Sequence, residues 1–264
     1  MRRTSIPKKQ MKVKMFLSYH DEAKAEDKAN EIVNANKDLF IPQQFKSNVF
    51  FESIIFKDNN VIVDDSTVDF VGHVTYTYKS KVAPYDFEEL CKKYNETADV
   101  LGLFYGAPHP LYQFAEAVHP GFLKIWDRLL KLMGHADYMS LGNPVAFYSN
   151  YWITRRELWN EYVEFARKAI DLMNTDPELI ELCNKDSGYH GTIEALPQDK
   201  LLAICGKPYY TFHAFILERL PCFFFHMKKK RINVIIKPSE ETWRNYATYA
   251  GSSFVKTPKG DRVL

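Results

Sequence analysis

The amino-acid sequence predicts an α/β fold, because strand-like and helix-like segments alternate along its first half. Residues 13–20 form an apolar run typical of a strand, and the acidic, alanine-rich residues 21–33 that follow are typical of a helix. The capping-box spacing that starts at Asp86 predicts a helix over residues 87–94. That helix leads into a second apolar run at residues 98–105. Such alternation is typical of a sheet covered by helices.

The remaining segments extend this pattern into the second half of the chain. Residues 70–77 are rich in β-branched and aromatic side chains and predict a buried strand, and residues 144–153 are strand-like as well. Apolar side chains at helical spacing predict amphipathic helices over residues 120–133 and 155–173. Residues 213–225 are apolar on most sides and predict a buried helix. Shorter predicted elements are a loop at 106–110, a helix at 176–184 and a strand at 232–236.

Composition sets the class of protein. The chain has 264 residues, of which 46% are hydrophobic and 26% charged, and this excludes disordered, collagen-like and coiled-coil chains. Lysine and arginine number 35 against 33 aspartates and glutamates, so no global field attracts nucleic acid or an anionic membrane. Apolar runs such as residues 101–105 are far shorter than the roughly 20 residues that cross a bilayer. We therefore expect a soluble protein with no transmembrane segment and no nucleic-acid partner.

The N-terminus and the cysteines indicate the cellular compartment. The first 14 residues are basic, but no signal-peptide core follows them. The four cysteines lie far apart without a C-x-x-C pair, which fits reduced thiols in a core better than disulfides or a zinc site. These cysteines are Cys91, Cys183, Cys205 and Cys222. We expect a cytoplasmic protein, with a monomer as the default state.

The strand ends carry the first candidates for a ligand site. In α/β folds, ligands bind at the carboxyl ends of the strands. The polar residues at these ends are Ser18, Tyr19 and His20, then His73, Thr75 and Tyr76, then Tyr105 and Gly106. We expect these ends to share one crevice. The sequence has no Gly-rich phosphate loop, no G-x-S-x-G elbow and no H-E-x-x-H pair, so the commonest nucleotide, hydrolase and zinc-protease sites are not indicated.

No clear metal site for a diphosphate ligand is visible in the sequence. A departing diphosphate needs a divalent cation or fixed positive charges, and the Asp-any-Asp pair that would signal a cation is absent. Asp64 and Asp65 fit a solvated turn best, whereas Asp69 is either structural or a contact to a nucleotide base. Lys79 and Lys81 either neutralise phosphates or are simply solvated. The use of a metal stays open.

Candidate catalytic groups occur in the second half of the chain. Asp186, in a polar loop, either acts as a general base toward a hydroxyl group or caps a local turn. Glu218 lies beside Arg219 in the predicted buried helix, where an internal ion pair is the commoner role, and His213 opens the same helix. The basic run 228–231 fits a solvated helix end, with a nucleic-acid site as the alternative.

Four parts of the sequence resemble one group of enzymes. They are LSYH at 17–20, VDFVGHVTY at 68–76, FYSNYWITR at 147–155, and DSGYH at 186–190 followed by YYTFHAFILERL at 209–220. In this order they resemble GT-A-type nucleotide-sugar glycosyltransferases of bacterial polysaccharide gene sets and of chlorella-virus glycan-building proteins. The resemblance implies a single GT-A-like, Rossmann-like domain over residues 1–230, with a mixed, mostly parallel central sheet flanked by helices. Its nucleotide-binding half would span about 11–110 and its acceptor half about 111–230, with 231–264 as a C-terminal extension or a linker to another module.

The resemblance also implies a role for each candidate residue. A nucleotide diphosphate sugar, first of all a uridine diphosphate hexose, is expected on Ser18, Tyr19, His20, Asp69, His73, Thr75 and Lys79. The sugar and a glycan acceptor are expected on Asn150, Tyr151, His190, His213, Glu218 and Arg219. Asp186 is the expected base for the acceptor hydroxyl. The missing Asp-any-Asp pair leaves dependence on Mn²⁺ or Mg²⁺ open, and a virus-encoded member would act in the host cytoplasm.

Two other functions remain compatible with the same residues. A carbohydrate- or nucleotide-binding module without turnover would use the same crevice. A nucleic-acid-associated protein would use the basic N-terminus and residues 228–231, and its binding would depend steeply on salt. The donor sugar, the acceptor and the stereochemical outcome are set by pocket geometry, which no short motif encodes.

Overall fold

Six strands form the central sheet of the protein. The structure, a computed structural model, describes residues 11–46, 48–82, 86–103, 110–189 and 196–235, and two short strands near the C-terminus. The sheet strands are β1 (Val13–His20), β2 (Phe40–Phe45), β3 (Phe70–Thr75), β4 (Val100–Gly102), β5 (Trp152–Arg155) and β6 (Ile232–Val234). The two further strands, β7 (Val255–Lys256) and β8 (Arg262–Val263), pair with each other.

The order of strands in the sheet is β2-β1-β3-β5-β4-β6. β1 runs parallel to β2 and β3, and β4 runs parallel to β6. β5 lies between β3 and β4 and is antiparallel to both. The predicted α/β class and the mixed, mostly parallel sheet are therefore confirmed. Five strands end at one edge of the sheet, and β5 begins there.

Helices cover both faces of this sheet. They are α1 (Ala23–Ala35), α2 (Tyr78–Lys81), α3 (Phe87–Tyr94), α4 (Leu111–Val118), α5 (Phe122–Leu132), α6 (Arg156–Thr175), α7 (Pro177–Cys183), α8 (Gln198–Cys205) and α9 (His213–Met227). Three 3₁₀ helices are at Phe51–Lys57, Asn59–Val61 and Tyr138–Leu141. One face of the sheet packs against α6, α9 and the first 3₁₀ helix, and the other packs against α1 and α3. No helix among the described residues combines the length and the apolar character needed to cross a bilayer.

Side-chain alternation along β1 decides which residues can reach the functional edge. Phe16 belongs to the core under α6 and α9, whereas Leu17 and Tyr19 belong to the core under α1 and α3. Because successive side chains of a strand point to opposite faces, Ser18 and His20 share the face of Phe16. Both residues line the cleft at the end of β1.

One element boundary differs from that predicted. The strand-like run 144–153 yields only β5, which starts at Trp152, because the residues just before it form a tight turn in which the Tyr151 N–H donates to the Tyr148 carbonyl at 3.2 Å. The strand predicted at 232–236 is present as β6, which pairs with β4 at the end of the sheet.

The centre of the sheet requires a glycine at position 72. A Cβ atom there would lie 2.7 Å from Met15 Sδ, 2.8 Å from Ile153 Cγ1 and 2.8 Å from the Trp152 carbonyl oxygen. The last contact is with backbone and cannot be relieved by a rotamer change. We predict that Gly72→Ala lowers the free energy of unfolding by about 1–3 kcal/mol, measured by urea denaturation. Glu31→Ala, on the exposed face of α1, serves as the control and should stay within about 0.5 kcal/mol of the parent. An unchanged midpoint for Gly72→Ala would contradict the pairing of β1, β3 and β5.

Candidate functional site

A cleft opens at the edge of the sheet where β1 and β3 end. It has an outer lobe of ≈ 410 Å³ and an inner lobe of ≈ 140 Å³. His20, Glu52, Tyr76 and Ser149 line both lobes, so the two form one continuous space. The outer lobe alone has the volume of a small-molecule site. The ends of β1 and β3 therefore share one crevice, at the edge where α/β folds bind their ligands.

Hydroxyl groups line the inner lobe. Thr75 Oγ1 lies 2.5 Å from the Tyr151 hydroxyl and 3.0 Å from Thr77 Oγ1, and Ser18 lines the same lobe. No lysine or arginine is among the described residues of this lining. The inner lobe thus offers mostly neutral polar partners to a ligand, together with the carboxylate of Glu52.

His73 fixes the orientation of the Ser18 hydroxyl from behind. His73 is fully buried, with Nδ1 at 2.9 Å from the Asn150 carbonyl oxygen and Nε2 at 2.8 Å from Ser18 Oγ. A carbonyl oxygen only accepts, so Nδ1 carries the ring proton and Nε2 must accept from the serine. Burial lowers the pKa of His73 to about 4, which keeps the ring neutral at pH 7. The Ser18 hydroxyl, which is itself buried, therefore donates to His73.

A tight turn over residues 148–151 connects the separate parts of the site. The Ser149 N–H donates to Glu218 Oε1 at 2.6 Å, on α9. The Asn150 side chain donates from Nδ2 to Ser53 Oγ at 2.9 Å, on the first 3₁₀ helix, while its carbonyl accepts from His73 on β3. Glu218, Ser53 and His73 thus attach three elements that are distant in sequence, α9, the first 3₁₀ helix and β3, to one turn.

Backbone strain is concentrated at this cleft. Four non-glycine residues in the described part of the chain have positive φ: Phe51 at 48°, Ser149 at 61°, Asn150 at 54° and Lys229 at 53°. Two of them, Phe51 and Ser149, line the cleft, and Asn150 lies directly behind it. A bulky residue such as phenylalanine rarely adopts this conformation, and strain of this kind clusters at functional sites. The backbone therefore marks the cleft independently of its shape.

Aromatic rings form a wall of the outer lobe. Phe51 stacks on Tyr210 with ring centroids 5.6 Å apart, and Tyr189 meets Tyr210 edge-on at 5.2 Å. Phe215 continues the wall, with its centroid 5.2 Å from that of Tyr189, and is itself stacked at 3.9 Å on the buried His119. Rings packed in this way present rigid apolar faces, which suit the C–H faces of a sugar ring.

The charge of the lining is negative. Glu22, Glu52 and Glu218 line the cleft, and Lys200 is the one lysine or arginine among its described lining residues. His20 is also present, and burial lowers its pKa while the nearby Glu22 opposes that shift. The cleft therefore presents more hydrogen-bond acceptors than donors.

Glu218 is held in place by groups on both of its oxygens. Oε1 accepts from the Ser149 N–H, and Oε2 lies 2.9 Å from Arg219 Nη1. Arg219 is buried, and its guanidinium lies 5.6 Å from the ring centre of Phe122 and 5.4 Å from that of Tyr148. Glu218 therefore faces the outer lobe, while Arg219 supports it from the protein interior.

The structure brings six of the predicted site residues into the lining of the cleft and two more directly behind it. The six in the lining are Ser18, His20, Thr75, Tyr76, Tyr151 and Glu218. The two behind it are His73 and Asn150, which reach the cleft through Ser18 and Ser149.

Three of the residues expected to bind the nucleotide lie elsewhere. Tyr19 packs in the core under α1 and α3, on the opposite face of the sheet. Asp69 precedes the first residue of β3 and accepts from the Lys12 N–H at 3.0 Å. Since β3 has six residues, Asp69 is about 20 Å from the end that carries Thr75. Lys79 is exposed on α2 and is not in the lining.

The expected base and two expected acceptor residues are also outside the lining. Asp186 Oδ1 accepts from the Gly188 N–H at 2.9 Å, and its backbone forms a bridge with Thr211, so it closes a local turn. His213 is buried against Phe50, with Nδ1 at 3.0 Å from Thr211 Oγ1. Arg219 is buried as described above. His190 and the strand end at Tyr105 and Gly106 are outside the described residues.

Sequence reasoning missed two of the three carboxylates of the lining, Glu22 and Glu52, and the aromatic rings of its wall. Glu52 and Phe51 lie on a 3₁₀ helix, which has no hydrophobic period of its own to draw attention to them. Tyr210 and Phe215 fall within a segment that resembles the glycosyltransferases, but the resemblance assigns neither of them a role. The aromatic character of Tyr210 and Phe215 was the one feature of the sequence that could have indicated a place in the site.

The described residues do not fit a metal site. None of their histidine, cysteine, aspartate or glutamate side chains form a group of three or more arranged to hold a metal ion.

Comparison with known proteins gives no relative. No protein-family model, curated protein sequence or solved structure matches the chain. The functional assignment therefore depends on the geometry of the cleft.

Buried histidines next to the cleft make stability depend on pH. Burial is the main cause that lowers the pKa of His73, His119 and His213 to about 4, from an ordinary value near 6.5. Between these values the unfolded chain binds more protons than the folded one, so stability falls as the pH drops from 6.5 toward 4. Each histidine adds up to about 1.4 kcal/mol per pH unit to this slope.

We predict that His213→Leu reduces the slope of unfolding free energy against pH by about 1 kcal/mol per unit, measured by urea denaturation between about pH 6 and pH 5. Thr211→Val removes the same hydrogen bond without removing a titrating group, and it should keep the parent slope. Equal slopes for His213→Leu and the parent protein would show that His213 does not titrate on unfolding.

Proposed function

We propose that the protein is a glycosyltransferase of GT-A type, which moves a hexose from a nucleotide diphosphate sugar to a glycan hydroxyl in this cleft. The observation that carries the proposal is the position of Glu52, in the lining shared by a hydroxyl-lined inner lobe and an aromatic-walled outer lobe. Sugar transfer needs one site for each sugar and a carboxylate between them. The mixed sheet agrees with the fold that the sequence resemblance implies.

The two lobes suit different parts of the reaction. The inner lobe, of ≈ 140 Å³, is lined by Ser18, Thr75 and Tyr151, whose hydroxyls match those of a single sugar ring. The outer lobe, of ≈ 410 Å³, has the stacked Phe51 and Tyr210 rings as a platform for a longer glycan. We assign the transferred hexose to the inner lobe and the acceptor to the outer lobe.

Glu52 is the carboxylate that we assign as general base. Glu218 lines only the outer lobe and is held by Ser149 and Arg219, so we assign it as a positioning residue. Glu22 is exposed at the rim, and Asp186 is outside the lining. Glu52 is half-buried and belongs to both lobes.

In the proposed reaction, the acceptor hydroxyl transfers its proton to Glu52. Its oxygen forms a new bond to the anomeric carbon of the donor sugar. The bond between that carbon and the diphosphate oxygen breaks, and the electron pair leaves with the nucleotide diphosphate. Lys200, on α8, is the cationic side chain of the described lining that we assign to the departing charge.

A carbohydrate-binding module without turnover is the second candidate. The excess of glutamates over cations in the described lining favours it, because a diphosphate needs positive partners whereas a neutral glycan does not. Both candidates place a glycan on the same aromatic wall. They differ in whether a nucleotide sugar is consumed.

We predict that Glu52→Gln lowers kcat for transfer by at least about 100-fold, because it removes the base. The Kd for the donor should change by less than about threefold, since the amide keeps the shape of the side chain. The assay measures release of nucleotide diphosphate from a panel of nucleotide sugars in the presence of mixed glycan acceptors. Glu31→Gln, on the exposed face of α1, is the matched control.

Two results would count against this assignment in different ways. Full activity in Glu52→Gln would remove Glu52 as the base and leave the transferase proposal standing. Absence of turnover with every donor, combined with glycan binding, would replace the transferase by the binding module.

A further inference from the structure

We propose that the cleft recognises its sugars through hydrogen bonds that the sugar donates and the protein accepts. It therefore binds neutral and amino sugars and discriminates against sugars that carry a carboxylate. The inference rests on one part of the proposed function, namely that the ligand is a carbohydrate. It therefore holds for the glycosyltransferase and for the carbohydrate-binding module. It concerns the sugar rings only. The diphosphate of a nucleotide-sugar donor is assigned to Lys200, which lines the outer lobe. Three features of the lining lead to it.

The first feature is the set of carboxylates. Glu22, Glu52 and Glu218 line the cleft, and an ionised carboxylate only accepts hydrogen bonds. A hydroxyl or ammonium group of a ligand can donate to these oxygens. A ligand carboxylate can only face them with like charge, in a partly enclosed space where the repulsion is screened less than in water.

The second feature is the fixed direction of the Ser18 hydroxyl. His73 Nδ1 donates to the Asn150 carbonyl, so His73 Nε2 accepts and Ser18 donates to it. Ser18 is buried, and with its proton committed to His73 its hydroxyl cannot donate to a ligand in the inner lobe. A serine hydroxyl can normally donate or accept a hydrogen bond. Here the buried His73 takes the donated hydrogen bond, so the hydroxyl can only accept further ones.

The third feature is the placement of positive charge. Lys200 lines the outer lobe, and no lysine or arginine is among the inner-lobe residues that the structure describes. The faces of the Phe51 and Tyr210 rings suit an apolar or cationic sugar face and carry no positive charge for an anion. The discrimination should therefore be strongest in the inner lobe.

The test compares sugars that differ at one substituent. The first series is the methyl glycosides of glucose, glucosamine and glucuronic acid, which share a ring configuration. The second series is the corresponding glycosides of galactose, galactosamine and galacturonic acid, which carry the same substituents on the C4 epimer. Binding to the full chain at pH 7 is measured at millimolar concentration by saturation-transfer NMR, with calorimetry for those that bind. In at least one series the hexose and the hexosamine should bind, and the uronic acid should bind at least about tenfold more weakly.

Glu52→Gln should narrow this difference to about threefold or less, because it removes one repelling charge. Glu31→Gln changes the net charge equally but lies away from the cleft, and it should keep the parental difference. Uronic acids that bind as tightly as the hexoses, or a Glu52→Gln variant with an unchanged difference, would overturn the inference and leave the proposed function intact. If no sugar of either series binds, the carbohydrate site itself is refuted and the inference falls with it.

Discussion

The hydrogen bonds of one strained turn organise the whole candidate site. Ser149 and Asn150 adopt positive φ without the help of glycine, and three partners from β3, the first 3₁₀ helix and α9 hold them there. Each of these partners also orients a group at the cleft: His73 sets the Ser18 hydroxyl, Ser53 adjoins Glu52, and Glu218 faces the outer lobe itself. The strain at the turn is therefore coupled to the positions of the functional groups.

The sheet explains why this turn is where it is. β5 is the strand that runs against its neighbours, so its beginning meets the carboxyl ends of β1 and β3 at one edge. The residues that lead into β5 must therefore cross the ligand-binding edge of the sheet. A polar turn at this point becomes part of the site, and both ring nitrogens of the buried His73 are satisfied, by the Asn150 carbonyl and by Ser18.

Local sequence patterns were sufficient for the fold class and for elements with a strong period. The apolar spacing of residues 155–173 is realised in α6, and the alternation of strand and helix gives the α/β sheet. The predicted residues at the strand ends, Ser18, His20 and Thr75, lie in the cleft. Tyr151 and Glu218, which the resemblance implied, lie there as well. Glu52 and the wall of Phe51 and Tyr210 could not be found in this way, because a 3₁₀ helix and a loop come together there through tertiary packing. The turn at Ser149 carried no glycine to mark its unusual backbone.

The proposed function requires a carbohydrate in this cleft, with a sugar ring on the aromatic wall and its hydroxyls directed to Glu52. A crystal structure of the full chain, soaked with a neutral oligosaccharide that binds in solution, shows whether this is so. We expect a sugar ring stacked on Phe51 or Tyr210 and a sugar hydroxyl within hydrogen-bond distance of the Glu52 carboxylate. A saccharide bound elsewhere on the protein, with this cleft filled only by water, would contradict it.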